Sequence, residues 1–318
     1  MVANEAKQGT PDVARFILTL RRRKDGPWLI STRLTEDLSP PVPGLGTPFT
    51  ADQLMAQLDS AGIRRAVVLS VAYWFGAPPS IMKNPEGELS IAEEYARVRA
   101  ENDWAAEQVA RYPSRLVAFC SFNPLKPYAL EELGRCSRRG GIRGIKLHLA
   151  NSGVDLRRTD DVTQLREIFR AANQQRMPMV VHMRPRAKPY GREDAEIFLR
   201  ELVSQAPDIP IQIAHLAGWG GWDDATDEAA GVFAEAITKA NPKLPHLYFD
   251  LTSIVFPGHS RETLKQIAER TRQLGLRRVV YGSDLADPGK TWADVVNFLP
   301  LTRAELQIIA DNVTPYLR

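Results

Sequence analysis

A chain of 318 residues has the length of one α/β barrel, which takes about 250 residues plus insertions. Its 44% hydrophobic and 25% charged residues describe a globular protein with a sizeable core, and a formal net charge of +3 without a basic, aromatic-laced stripe argues against nucleic acid as a partner. No stretch approaches the roughly 20 apolar residues of a membrane span, and the apolar Phe16-Ile17-Leu18 precedes the basic Arg21-Arg22-Arg23-Lys24, the reverse of a secretory leader. Two cysteines cannot build a disulfide framework. Cys120, inside Val117-Ala118-Phe119-Cys120, therefore reads as a buried thiol, and the cytoplasm is the expected compartment. The expected partner is a small molecule, with a homo-oligomer allowed.

In chain order, residues 1–50 form an N-terminal extension that has to supply a first strand, and 51–318 form the barrel of a single domain. Two candidates exist for that strand, Phe16–Leu20 and Trp28–Thr32. Trp28–Thr32 is preferred because only the Pro-rich loop Ser39–Pro48 then separates it from the first helix. A helical pattern over Ala51–Ala61 stops at Gly62, a C-cap residue. A strand follows at Arg65–Val71, then a helix at Ile91–Arg111 and a strand at Leu116–Phe122. The helix Tyr128–Arg138 leads to the strand Gly144–Leu149, and Val162–Gln175 leads to Met179–Met183. Arg192–Gln205 leads to Pro210–Leu216, Glu228–Ala240 to Leu247–Leu251, and Arg261–Leu274 to Arg278–Asp284. Thr302-Arg303-Ala304-Glu305 has the spacing of a capping box and opens the last helix.

Short apolar strands alternating with helices suit a parallel sheet covered on both faces. A dinucleotide fold needs a glycine-rich loop after an early strand, and Ala72-Tyr73-Trp74-Phe75-Gly76 is not one. The expectation is a (β/α)₈ TIM barrel with an atypical first strand.

In such a barrel the reacting groups stand at the C-terminal strand ends. The chain has five histidines. His148, His182 and His215 fall at or near the ends of three strands, and Asp250 and Asp284 at the ends of two more. A lone strand histidine is more often a core residue, and a strand-end aspartate often caps the next helix. Several together at one barrel mouth point instead to a site, and imidazole with carboxylate is the ligand chemistry of catalytic zinc. Lys146 and His148 are two apart and so share a strand face, as do His182 and Arg184. Arg184, Arg186 and Lys188 follow one strand, and Trp219 and Trp222 another, in loops that should overhang the mouth. These residues suggest an anionic, cyclic or aromatic ligand.

Gly144-Ile145-Lys146-Leu147-His148, Val180-Val181-His182, Ile213-Ala214-His215-Leu216-Ala217-Gly218 and Tyr281-Gly282-Ser283-Asp284 occur in this order. Together they resemble strands four, five, six and eight of the amidohydrolase superfamily, in the branch that includes aminocarboxymuconate-semialdehyde decarboxylase. The ending Ile309–Leu317 resembles the last helix of that branch. The resemblance covers about residues 50–318. It implies a divalent metal, usually zinc, held by His182 and Asp284 with His215 beside it. It also implies His215 and Asp284 as catalytic groups and Lys146 as a substrate-binding one; from their positions at the mouth, His148, Arg184 and Trp219 are expected to bind substrate as well. The implied activity is hydrolysis of an amide, ester or lactone. The alternatives are non-oxidative decarboxylation and a degenerate, non-catalytic barrel.

One element of the pattern is missing. The superfamily's first strand ends in His-x-His, whereas here Asp25–Ser31 stands at that place and no histidine precedes His148. Three accounts remain open: a lost or rewritten N-terminus with an impaired site, a metal with fewer protein ligands, or chemistry without metal.

Overall fold

The computed structural model describes residues 50–81, 89–186, 188–239, 244, 246–284 and 288–312, and the backbone of 28–32. Eight parallel strands lie side by side in chain order, β1 Trp28–Thr32, β2 Arg65–Leu69, β3 Leu116–Ser121, β4 Ile142–His148, β5 Met179–His182, β6 Ile211–Ile213, β7 Leu247–Asp250 and β8 Val279–Val280. Seven parallel pairings carry the curled sheet from β1 to β8. The preferred first strand, Trp28–Thr32, is the one that pairs with β2. The other candidate, Phe16–Leu20, lies outside the described residues, as do the Pro-rich loop and residues 313–317 of the expected last helix.

Helices alternate with the strands: α1 Ala51–Ala61, α2 Ile91–Ala110, α3 Ala129–Cys136, α4 Thr159–Gln174, α5 Arg192–Ile197, α6 Asp224–Thr238, α7 Arg261–Leu274, α8 Pro288–Phe298 and α9 Arg303–Asp311. Local chemistry starts and stops several of them. Thr50 with Gln53, Ser90 with Glu93 and Thr302 with Glu305 form capping boxes, each satisfying two backbone donors at a helix start. Gly62 closes α1 with φ 67°, a left-handed turn that a side chain would strain.

The apolar residues divide into two bodies. The larger fills the space between sheet and helices. The smaller, Val67, Leu69, Phe119, Val180 and Val280, fills the inside of the curled sheet. Gly144 makes room for it, because a Cβ there would stand 2.6 Å from the Pro178 carbonyl oxygen and would collide with the Phe119 ring. A buried polar knot ties the same region to the helices. Asn102 of α2 donates to the Ser121 carbonyl (2.9 Å) and to Glu132 of α3 (2.7 Å), and accepts from Ser121 N (2.9 Å) and the Ser70 hydroxyl (2.6 Å).

Two expectations need correction, and one element is new. Cys120 is buried but is not a thiol: it is joined to Cys136 of α3 by a disulfide, with Cα atoms 6.5 Å apart. The helix expected over 192–205 is α-helical only to Ile197, followed by a π turn at Phe198–Leu202 and a 3₁₀ turn at Val203–Gln205. Helix α8 lies in a stretch to which the sequence reading assigned no element. Proline is well suited to the first helical position, where its missing N–H costs nothing. Among the described residues, no helix is long and apolar enough to cross a membrane.

Candidate active site

The strand ends and the loops that follow them enclose a cavity of about 280 Å³. Lys146, His148, His182, His215 and Asp284 all line it, joined by Trp219. Register brings the first two histidines together. His148 and His182 end β4 and β5 and are direct partners across the ladder. Their rings stack with centroids 4.0 Å apart and planes 12° from parallel. His182 also meets the edges of His215 (5.2 Å) and Trp219 (5.8 Å).

His215 is placed by strained backbone. β6 stops at Ile213, and His215, Leu216 and Ala217 take φ values of 57°, 48° and 71°. Each such residue costs about 1–3 kcal/mol and persists only when its surroundings hold it. Here Asp250, buried at the end of β7, accepts the His215 N–H at 2.9 Å. The Tyr190 hydroxyl donates to the Ala217 carbonyl. The His215 ring is held as well, with Nδ1 2.7 Å from the Thr252 carbonyl oxygen. A carbonyl can only accept, so Nδ1 carries a proton, and Nε2 is the ring nitrogen left for exchange with the cavity. Asp284 is likewise left-handed, at φ 54°.

A family model for amidohydrolases matches residues 50–303, four-fifths of the chain, and spans every one of these groups. The chain belongs to the amidohydrolase family. No curated protein matches this amidohydrolase, but solved structures do. It resembles 5-carboxyvanillate decarboxylase from Sphingomonas paucimobilis at 16% identity, with 89% of this chain and 96% of that one covered and a TM-score of 0.57. It resembles a dihydroxybenzoic acid decarboxylase from Polaromonas sp. JS666, solved with manganese and 2-nitroresorcinol, at 17% identity, 90% and 94% coverage and a TM-score of 0.58. A protein described as amidohydrolase II shares 17% identity over 92% and 99% of the two chains, with a TM-score of 0.63. At these identities the likeness establishes the fold, an α/β barrel of the amidohydrolase type.

Among the described residues, the donors of this amidohydrolase fall short of a resident ion. With metal–nitrogen bonds near 2.0–2.1 Å, two parallel rings 4.0 Å apart cannot both aim in-plane lone pairs at one ion. Asn151 moreover lies against both ring nitrogens of His148, at 3.3 and 3.2 Å. His182, His215 and Asp284 line one cavity, yet among the described residues no three His, Cys, Asp or Glu side chains gather as an ion site. Strand one carries Trp28–Thr32 where the His-x-His pair would end it. Purified protein dialysed against metal-free buffer is therefore expected to hold well under one equivalent of zinc or manganese by elemental analysis. One tightly held equivalent would show that the site is completed by residues other than these.

Arg184, expected to touch substrate, lies outside the inner cavity. It grips Asp223 with two hydrogen bonds (2.9 and 2.8 Å), donates to Thr226 (3.0 Å) and lies 4.9 Å from the Tyr190 ring centre. It thus braces the start of α6 and the Trp219 loop. Burial alone would raise the Asp223 carboxyl, but the hydrogen bonds from Arg184 and Thr226 outweigh it and hold the pKa at about 2. A depressed carboxylate contributes stability above its unfolded pKa and loses it as pH falls through the folded one. Asp223→Asn keeps the helix cap and removes the charge. The Asp223 side chain is 50% exposed, so screening limits the loss at neutral pH to about 0.5–1 kcal/mol. Denaturant titrations should show that gap closing between about pH 4 and pH 2. A gap constant down to pH 2 would mean that the charge is not what matters.

Sequence reasoning also passed over residues that the structure brings to the cavity. Tyr73, Trp74, Asn151 and Thr252 line it. Thr252 acts through its backbone carbonyl, which no side-chain pattern could reveal. Tyr73 and Trp74 follow a strand end, and that position was a usable signal.

Proposed function

We propose that this amidohydrolase is a non-oxidative decarboxylase of a small carboxylated ring. The observation that carries this reading is the cavity at the strand ends. At about 280 Å³ it is at the small end of ligand pockets, and Tyr73, Trp74, Trp219, Lys146 and three histidines line it. Such a space suits one ring, with an ammonium for an anionic substituent and imidazole for a proton. Two solved relatives named for decarboxylating dihydroxybenzoic acid and 5-carboxyvanillate support the same choice.

The chemistry needs one proton. Protonated at Nε2, His215 gives that proton to the ring carbon bearing the carboxylate. The bond from that carbon to the carboxylate then breaks, its electron pair restores the ring, and carbon dioxide leaves. Solvent returns a proton to His215. Lys146 stabilises the negative charge of a ring oxygen or the carboxylate, and the aromatic walls keep water out, which strengthens that interaction. General acid catalysis of this kind contributes about 10²–10⁴-fold.

Hydrolysis of an amide, ester or lactone is the second reading. The favouring observation is the same Nε2, which as a neutral acceptor can orient water. Incubation with hydroxylated benzoates labelled with ¹³C at the carboxylate separates the two. The expected result is ¹³CO₂ with an equal amount of the decarboxylated phenol. No ¹³CO₂ from any acid, with a new acid formed from an ester, amide or lactone panel, would overturn decarboxylation.

A further inference from the structure

The inner cavity opens beside a larger cleft. It is bounded by the loops after β5 and β6 and has a volume of about 720 Å³. Arg186 and Trp219 line both spaces, so the two adjoin each other. The cleft is about two and a half times larger than the cavity, far more than a single ring behind it requires.

Its charge is one-sided. Asp223 is the carboxylate on its wall, and Arg184 already neutralises it. Arg186 and Lys188 also line it, and neither has a carboxylate partner among the described residues. Arg186 is held in place: one nitrogen donates to Asn151 at 2.9 Å, and the guanidinium lies 5.4 Å from the Trp219 ring centre. A guanidinium has five N–H donors, so most remain for a ligand.

Its walls are aromatic. Trp219 is 45% exposed, unusual for a tryptophan unless something covers it. Trp222 lines the same cleft, and its indole N–H is shielded from solvent with no acceptor among the described residues. Gly220 and Gly221, at φ 96° and 118°, make the turn between them. A Cβ at Gly221 would meet nothing within 4 Å, so backbone conformation and not space favours glycine there.

We propose that this cleft is a second subsite that takes the distal, anionic end of an elongated aromatic substrate whose reacting ring lies in the inner cavity. The distal ring packs on Trp219 and Trp222, and its acid group meets Arg186 and Lys188. The inference rests on the reading of the inner cavity as the reacting site. It adds the substrate class: an acid of two linked rings with an acid group at each end.

Calorimetry with two unreactive probes, benzoate and biphenyl-4,4′-dicarboxylate, tests it without turnover. The dicarboxylate should bind at least about tenfold more tightly, the scale of one charge-assisted contact. Lys188→Met and Trp222→Phe should each lower that ratio severalfold, with thermal melts confirming that both variants fold. Equal affinity for the two probes, or a ratio unchanged in both variants, would overturn the subsite. The outcome is separable from that of the decarboxylase reading. Absence of ¹³CO₂ from every acid removes the reaction, while a retained probe ratio keeps the subsite.

Discussion

Alanine in place of His215 is expected to lower kcat on a decarboxylated acid by about 10²–10⁴-fold, the usual contribution of a positioned general acid. The ring is already oriented for proton transfer. Nδ1 donates to the Thr252 carbonyl at 2.7 Å, which leaves Nε2 to exchange a proton with a ring in the cavity. The backbone is fixed as well, because Asp250 holds the His215 N–H. Loss of the side chain takes a partner from the buried Thr252 carbonyl, at about 1–3 kcal/mol against a total of about 5–15 kcal/mol, so the variant should fold. KM should change far less than kcat, since the proton is delivered in the transition state and not on binding. A kcat within tenfold of the parent would remove His215 from the chemistry. A kcat that tracked metal content across preparations would make it an ion ligand instead.

Asp250→Ala should produce the largest loss of stability, about 3–5 kcal/mol, from a total of about 5–15 kcal/mol for a folded domain. The carboxylate is buried and accepts from Gln212 Nε2 at 2.6 Å, His215 N at 2.9 Å and Thr252 N at 3.1 Å. Alanine strands these donors away from water, and each stranded group costs about 1–3 kcal/mol. At about 2–4 °C per kcal/mol, the melting temperature should drop by roughly 6–20 °C. Asp250→Asn keeps the shape and one acceptor oxygen, so its drop should be less than half as large. Because Asp250 also supports the left-handed turn at His215, both variants should lose activity beyond what unfolding explains, measured well below the melting temperature. A melting temperature within about 2 °C of the parent for Asp250→Ala, less than 1 kcal/mol on that scale, would mean that these donors find other partners.

The alternation of short apolar runs with amphipathic stretches was sufficient to place β2 to β8, and the nearness of Trp28–Thr32 to the first helix was sufficient to prefer it as β1. Capping is equally local: Ser or Thr three residues before Glu or Gln marks a helix start wherever it falls. Strand ends carrying His148, His182, His215 and Asp284 also pointed to one mouth, because parallel strands in chain order all end on the same face.

What the tertiary structure alone decided lies between residues far apart in the chain. Arg184 and Asp223 are 39 residues apart, and their pairing makes Arg184 a brace for the loop above the cavity while it lines the outer cleft. Cys120 of β3 and Cys136 at the end of α3, 16 residues apart, meet only in the fold. The stacking of His148 on His182 follows from the register of β4 against β5, and a one-residue slip would turn either ring to the other face of the sheet. The proton on His215 Nδ1 is set by a carbonyl 37 residues away. Local sequence encodes backbone preference and the face on which a side chain emerges, since both arise within a few residues. Hydrogen-bond partners and ring orientation depend on which strands and loops the fold brings within about 3 Å, and no local pattern carries that information.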